Sequence, residues 1–230
     1  MNPKVLVFSP TYSGKDYIFK EFYQALVNID YDNYDYLIID NTDDNGAYQK
    51  QLQSQGYYHI HRVPRGGNSR QALVNAQNYA RQYALDNHYD YVLSVESDLI
   101  VPSDIIKRFL AYDVPVVGAL YYIGIEVKVP CVFFVTMKGL MKGTRLITLE
   151  EAKVFPNTGL RRVHGVGLGC TLIKREVLEK FTFWHDERFT DKHSDVYLFM
   201  ELENAHIPVY CDTNITVPHY PSDWGLVKDR

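Results

Sequence analysis

Tyr91-Val92-Leu93-Ser94-Val95-Glu96-Ser97-Asp98 joins an apolar run directly to a pair of carboxylates. The first five residues read as a buried strand, and Pro102 with Ser103-Asp104 then opens a short helix. A strand that stops in acidic residues ahead of a helix is the repeating unit of an α/β sheet. In such sheets ligands gather beyond the carboxyl ends of the strands.

Upstream the same alternation recurs. Val5 to Phe8 ends in Ser9-Pro10-Thr11 and is followed by a helical pattern at Ile18, Phe22, Leu26 and Ile29. Tyr36 to Ile39 ends at Asp40, before the turn-rich Asn41-Thr42-Asp43-Asp44-Asn45-Gly46. Tyr58 to Val63 stops at Pro64 and Gly66-Gly67, ahead of a helix over Ser69 to Leu85 with apolar or aromatic positions at Ala72, Ala76, Tyr79 and Tyr83. Downstream, Val114 to Tyr122 and Val129 to Thr136 read as strands with no helix between them, and a basic, glycine-bearing stretch follows. Helices are predicted near Arg175 to Phe181 and over Asp195 to Ala205, and short strands over Val209 to Cys211 and Ile215 to Val217. The pattern predicts an α/β fold: a Rossmann-like, mostly parallel central sheet with helices on both faces and a small antiparallel extension in the C-terminal half. No repeat or linker divides residues 1–230, so one domain is expected.

Composition agrees. With 230 residues, 46% hydrophobic and 23% charged, the chain can bury a full core without metal or disulfide staples. Fourteen Gly and ten Pro are too few for a low-complexity chain. No apolar run approaches the roughly 18 residues of a membrane helix. Met1-Asn2-Pro3-Lys4 leads straight into a strand rather than a secretory leader, so cytosolic residence is expected. Cys131, Cys170 and Cys211 lack paired spacing and read as reduced core residues. The net charge of -4 argues against a coat of basic charge for nucleic acid. The distribution is uneven, however: Gly124 to Arg175 holds nine basic residues against three glutamates, +6 there and -10 elsewhere. That segment suits an anion.

In an extended chain residues two apart point to the same side, so Glu96 and Asp98 can address one site. Paired oxygen ligands suit a hard divalent cation, Mg²⁺ or Mn²⁺, with substrate phosphates completing its shell. The structural alternative is that these acids only cap the helix opening at Pro102.

The order of these features along the chain resembles that of the GT-A-fold glycosyltransferases of the family 2 type, over nearly the whole length. Ser9-Pro10-Thr11-Tyr12 is similar to that family's first nucleotide-contacting loop, Ile38-Ile39-Asp40-Asn41-Thr42-Asp43 to its base-contacting acidic turn, and Glu96-Ser97-Asp98 to its D-x-D motif. His164-Gly165-Val166-Gly167-Leu168-Gly169-Cys170 resembles the glycine-rich acceptor-side segment, Ser194-Asp195-Val196 the E-D pair, and Val217-Pro218-His219 the closing segment with a metal-binding His. The resemblance implies a nucleotide-binding half, 1–122, and an acceptor-binding half, 123–230. Pro10, Thr11, Tyr12 and Asp40 would then hold the base and ribose of a nucleotide-diphosphate sugar, UDP-linked before GDP-linked. Glu96 and Ser97 would approach the ribose or metal, Asp98 and His219 would bind Mn²⁺ or Mg²⁺, and Arg70 would meet the diphosphate. Two positions depart from the pattern. Glu96 stands where the motif has Asp, which keeps a carboxylate. Ser194 replaces an acid, which leaves Asp195 as the general base with Asp191 as the alternative.

The chemistry of sugar transfer calls for these groups. The diphosphate leaves with growing negative charge, which a bridging cation offsets. A carboxylate takes the acceptor hydroxyl's proton in the inverting version. The +6 segment suggests an anionic acceptor: a phosphate-bearing glycan, a lipid phosphate at a membrane surface, or modified nucleic acid. Tyr121, Tyr122 and Trp224 are candidate sugar-stacking residues, the last in a tail, Pro221-Ser222-Asp223-Trp224-Gly225, placed to close over the site. The remaining histidines read as surface or core residues. Two other functions fit less well: a sugar-phosphate nucleotidylyltransferase, which would need a Gly-rich triphosphate loop near the first strand, and a noncatalytic carbohydrate-binding or scaffold protein.

Overall fold

The computed structural model describes residues 2–124, 127–138, 141–189 and 192–221. Asp191 and Trp224 lie outside them. In chain order the elements are β1 (Val5–Thr11), α1 (Phe19–Val27), β2 (Tyr34–Asp40), α2 (Ala47–Ser54), β3 (Ile60–Arg62), α3 (Ser69–Asp86), β4 (Tyr91–Val95), α4 (Ile105–Leu110) and β5 (Val116–Leu120). Then come β6 (Tyr122–Ile123), β7 (Val129–Pro130), β8 (Val132–Lys138), β9 (Met141–Leu146), α5 (Leu149–Val154), β10 (Leu160–Val163), β11 (Gly165–Val166), β12 (Cys170–Lys174), α6 (Arg175–Lys180), α7 (Ser194–Asn204) and β13 (Val209–Thr216).

Eight strands of the described residues form the central sheet, in the order β10-β13-β5-β12-β4-β1-β2-β3. β1 runs parallel to β2 and β4, β2 to β3, and β13 to β5. β12 enters antiparallel between β4 and β5, and β10 pairs antiparallel with β13 at one edge. β8 pairs antiparallel with β9 and β11 in a separate small sheet, the extension expected from the second half.

Central strands covered on both faces should be continuously apolar, and Val5, Leu6 and Val7 are fully buried. Alternate residues feed the two sides. Val5, Val7, Ile38 and Leu93 pack with Phe19, Phe22 and Leu26 of α1, Leu52 of α2 and Phe109 of α4. Leu6, Phe8, Ile39 and Val92 pack with α3, α6 and α7. On α3 the buried stripe is Ala76, Ala80 and Ala84, whose small side chains let the helix lie close to the sheet. Tyr79 and Tyr83 therefore sit beside this stripe and not on it: Tyr79 stacks on His61 at 4.2 Å and Tyr83 is partly exposed. Cys131, Cys170 and Cys211 are free and buried.

Two expected short strands at the C-terminal end form one, β13, which continues across a register shift between Asp212 and Thr216. Asp212 is fully buried there because the Tyr112 hydroxyl donates to it at 2.9 Å and Arg108 lies 3.8 Å away. The basic stretch is partly neutralised locally. Arg145 pairs with Glu151, Lys153 with Glu150, Lys174 with Asp113 and Arg175 with Glu179, while Lys128, Arg161 and Arg162 are exposed. No helix among the described residues is long and apolar enough to cross a membrane.

Candidate active site

Four neighbouring strands end on one side of the sheet, and the register aligns the last residues of three of them. Thr11 at the end of β1 lies beside Asp40 of β2, and Asp40 beside Arg62 of β3. β4, on the other flank of β1, runs into Glu96. Asp40 is buried, its Oδ1 accepting from the Thr42 amide at 2.9 Å and hydroxyl at 2.6 Å, while Oδ2 has no hydrogen-bond partner among the described residues. Burial raises its pKa against those two hydrogen bonds. Thr11 Oγ1 is likewise buried and unpartnered, and the Arg65 guanidinium lies over the Tyr12 ring at 5.8 Å.

The turn after β4 closes through the Leu99 amide donating to the Glu96 carbonyl at 3.0 Å, and buries Ser97 and Asp98. Residues 218–220 come from the far end of the chain and pair with this turn. The Ile100 amide donates to the Pro218 carbonyl at 3.1 Å and the Tyr220 amide to the Asp98 carbonyl at 2.9 Å, with Leu99 and His219 bridged. This short pairing brings His219 to the acidic turn. Its Nδ1 donates to the Tyr122 carbonyl at 2.7 Å, leaving Nε2 to face Asp98 Oδ2 at 3.3 Å. Ligand atoms of Glu96, Asp98 and His219 all lie within 4.8 Å of one another.

One residue at this centre carried no signal in the sequence. Lys15, in a single 3₁₀ turn (Ser13–Lys15) beyond β1, is buried and its Nζ ion-pairs with Asp98 Oδ2. Burial opposes its charge, but the Asp98 carboxylate outweighs this and raises its pKa. The same balance holds for its neighbours. Burial works against ionised Asp98, yet hydrogen bonding by His219 and the charge of Lys15 hold it below the usual carboxylate range. Burial also works against protonated His219, and its contacts with Asp98 and Tyr122 raise it regardless. At Glu96 the balance tips the other way: burial and the Asp98 charge push it up to about 7, outweighing the charges of Lys15 and His219.

Asp195 sits in the first turn of α7, half-buried, with Oδ1 accepting from the Val196 amide at 2.8 Å. Burial raises its carboxyl to about 6, and its charge bears on Glu96, Tyr121 and Cys131. Ser194 does not cap this helix. The N-cap is His193, and the Ser194 hydroxyl donates to Gln77 Oε1 of α3 at 2.6 Å, pinning the helix start to the sheet's cover. Arg70, second in α3, is half-buried near His193, whose pKa is lowered by burial and by the Arg70 charge.

The glycine-rich segment packs against the same centre. A Cβ on Gly167 would stand 1.8 Å from the Tyr121 hydroxyl oxygen and 2.5 Å from Cys131 Sγ, and the Tyr121 hydroxyl accepts from the Gly169 amide at 3.2 Å. Tyr121 is therefore a buried wall of the site, not a free sugar-stacking face; Tyr122 is half-buried and contributes its carbonyl to His219. Gly167→Ala is expected to cost about 3 kcal/mol, the upper end of overpacking penalties, read as a lower denaturant midpoint at unchanged m-value. A loss below about 0.5 kcal/mol, the range of surface substitutions, would show that the segment yields.

No family model matches the sequence, and no curated protein matches it. Solved structures do share the fold. A197 from STIV superposes over 95% of this chain and 86% of its own, with a TM-score of 0.56 at 18% identity. The S. aureus TarS fragment 1–349 in complex with UDP gives a TM-score of 0.57 over 93% of this chain at 13% identity. The same fragment in complex with UDP-GlcNAc gives 0.55 over 95% at 12% identity. This chain spans 59% and 60% of the TarS fragment in the two complexes. At these identities the likeness is one of fold: the chain has the GT-A-like α/β architecture.

Proposed function

We propose that this chain is a metal-dependent glycosyltransferase of the family 2 type that moves a sugar from a UDP-linked donor to an acceptor hydroxyl with inversion. The observation that carries this reading is the convergence of Glu96, Asp98 and His219 within 4.8 Å, just past β4 and beside the strand ends that bear Thr11 and Asp40. The TarS complexes, which hold UDP and UDP-GlcNAc on the same fold, support the choice of donor.

The donor set fits a divalent cation. Asp98 Oδ1 is a buried side-chain atom without a hydrogen-bond partner among the described residues, and His219 Nε2, also buried, has the Asp98 carboxylate 3.3 Å away, an arrangement that a ligand between them would complete. Two carboxylates with one imidazole suit Mn²⁺ better than Mg²⁺, which prefers oxygen alone. A cation held there supplies Lewis-acid stabilisation of the departing diphosphate. The Nδ1 hydrogen bond to Tyr122 fixes the His219 ring with Nε2 toward the site. Thr11, Tyr12 and Asp40, with Pro10 shaping the loop, hold the base and ribose; Ser97 lines the donor side; Arg70 meets the diphosphate. Asp195 accepts the acceptor hydroxyl's proton at its carboxylate. Exposed Lys128, Arg161 and Arg162 keep an anionic acceptor within this reading.

A panel of UDP- and GDP-sugars, assayed for slow transfer to water, tests the proposal. Cleavage of at least one UDP-sugar is expected with Mn²⁺, and its loss on adding EDTA. No Mn²⁺-dependent cleavage anywhere in the panel, together with no thermal shift from UDP plus Mn²⁺, would refute it.

A further inference from the structure

We propose that Lys15 and a divalent cation are alternative occupants of the Asp98 carboxylate, so that metal binding must expel the lysine. The inference rests on the reading of Glu96, Asp98 and His219 as a metal centre. Lys15 is then a positioning residue: it holds the centre's charge in balance while no metal is bound.

Three observations lead to it. Lys15 Nζ pairs with Oδ2 of Asp98, the same oxygen that His219 Nε2 faces at 3.3 Å. A cation that takes the Asp98 oxygen facing the imidazole meets the lysine on that same atom, and an ammonium, which has no lone pair, cannot join its coordination shell; a cation held by Oδ1 alone would leave Lys15 in place, the outcome in which its labelling does not change. Second, Asp98 is fully buried, and a buried carboxylate stripped of its partners is strongly unfavourable. Some cation is therefore required there at all times; the metal supplies one when present, and Lys15 supplies the other. Third, Lys15 is carried where it can leave. Its 3₁₀ turn is one turn long, Ser13, Gly14 and Asp16 around it are exposed, and the lysine has four flexible carbons between backbone and charge. The same loop touches the segment that carries His219, the Tyr17 hydroxyl donating to the Tyr220 carbonyl. Both cations thus meet at a seam between the first strand's loop and the chain's closing segment.

Occupancy by Lys15 reduces apparent metal affinity by the fraction of molecules in which Asp98 is free, so a lysine bound nine-tenths of the time weakens it about tenfold. The test is Mn²⁺ binding alone, read by the electron paramagnetic resonance signal of free Mn²⁺, in wild type, Lys15→Met and Lys15→Arg. Lys15→Met is expected to bind Mn²⁺ about tenfold tighter, with an apo melting temperature below wild type that Mn²⁺ restores. Lys15→Arg, which keeps a cation, is expected to bind no tighter than wild type. A measurement on the unmodified chain guards against a variant that does not fold: amine-reactive labelling of Lys15, followed by mass spectrometry, should rise when Mn²⁺ is added. Equal Mn²⁺ affinity in wild type and Lys15→Met, or Lys15 labelling that stays level or falls with Mn²⁺, overturns the exchange and leaves the metal centre standing. Mn²⁺ bound by neither protein removes both.

Discussion

Asp98→Asn is expected to lower Mn²⁺-dependent donor cleavage by roughly 10³-fold, because a Lewis-acid contribution of several kcal/mol corresponds to about three decades in rate. The substitution keeps the shape of the side chain and removes its charge. It therefore weakens the hold on a cation and also leaves the Lys15 ammonium, whose side chain is only 10% exposed, without its counter-ion. Breaking a buried pair of this kind costs about 3–5 kcal/mol when one partner is deleted outright, and the Asn amide oxygen recovers part of that. The activity and the melting temperature should be read together. A drop in turnover with Mn²⁺ affinity lost in proportion places Asp98 at the metal. Turnover within threefold of wild type would remove Asp98 from the chemistry.

The second large effect is expected at Asp195. In its proposed role as general base it would work only when ionised, and burial raises its pKa to about 6, so at saturating Mn²⁺ kcat/KM should rise tenfold per pH unit up to about pH 6 and level off above it. Asp195→Asn should abolish that limb and reduce turnover by roughly 10² to 10⁴-fold, with donor affinity unchanged. Its stability should move the other way. The folded-state pKa is raised above the unfolded value of about 3.9, so this group's contribution is intact below pH 4 and is lost as pH climbs through 6. Asn carries no such penalty, and the variant should be more stable than wild type by about 3 kcal/mol at pH 7. Slower catalysis with a higher melting temperature marks a group held in place for chemistry. Loss of both would mark a structural acid at the start of a helix.

Much of the sheet could be read from residues alone because its strands are apolar and end in punctuation. Tyr91 to Val95 is bounded as expected, and Ser69–Asp86 differs from the expected helix by one residue. The misreadings have local causes. α2 buries only Tyr48 and Leu52 among glutamines, too thin a stripe to show as periodicity. β13 reads as two strands because Asp212 and Thr213, polar in sequence, are buried, with tertiary partners such as Tyr112 and Thr158 that the sequence does not display. α5 carries a short local signal, the reciprocal capping box of Thr148 and Glu151, inside an otherwise basic, glycine-bearing stretch. In the site, Glu96, Asp98 and His219 could be named from order along the chain. Lys15 could not, since an ordinary loop lysine becomes part of the centre only through a contact across 83 residues. The inward turn of Tyr121 is hidden for the complementary reason: it depends on the absent side chain of Gly167, 46 residues away.

The backbone pairing of residues 218–220 with the turn after β4 has a consequence for the order of events on the ribosome. Every residue of the first four strands can be synthesised and packed before His219 has emerged, yet the acidic turn still lacks its imidazole. The centre is therefore completed only after residues 218–220 have left the ribosome, and a chain arrested ahead of Pro218 would present the acidic turn without the imidazole that the proposed metal site needs.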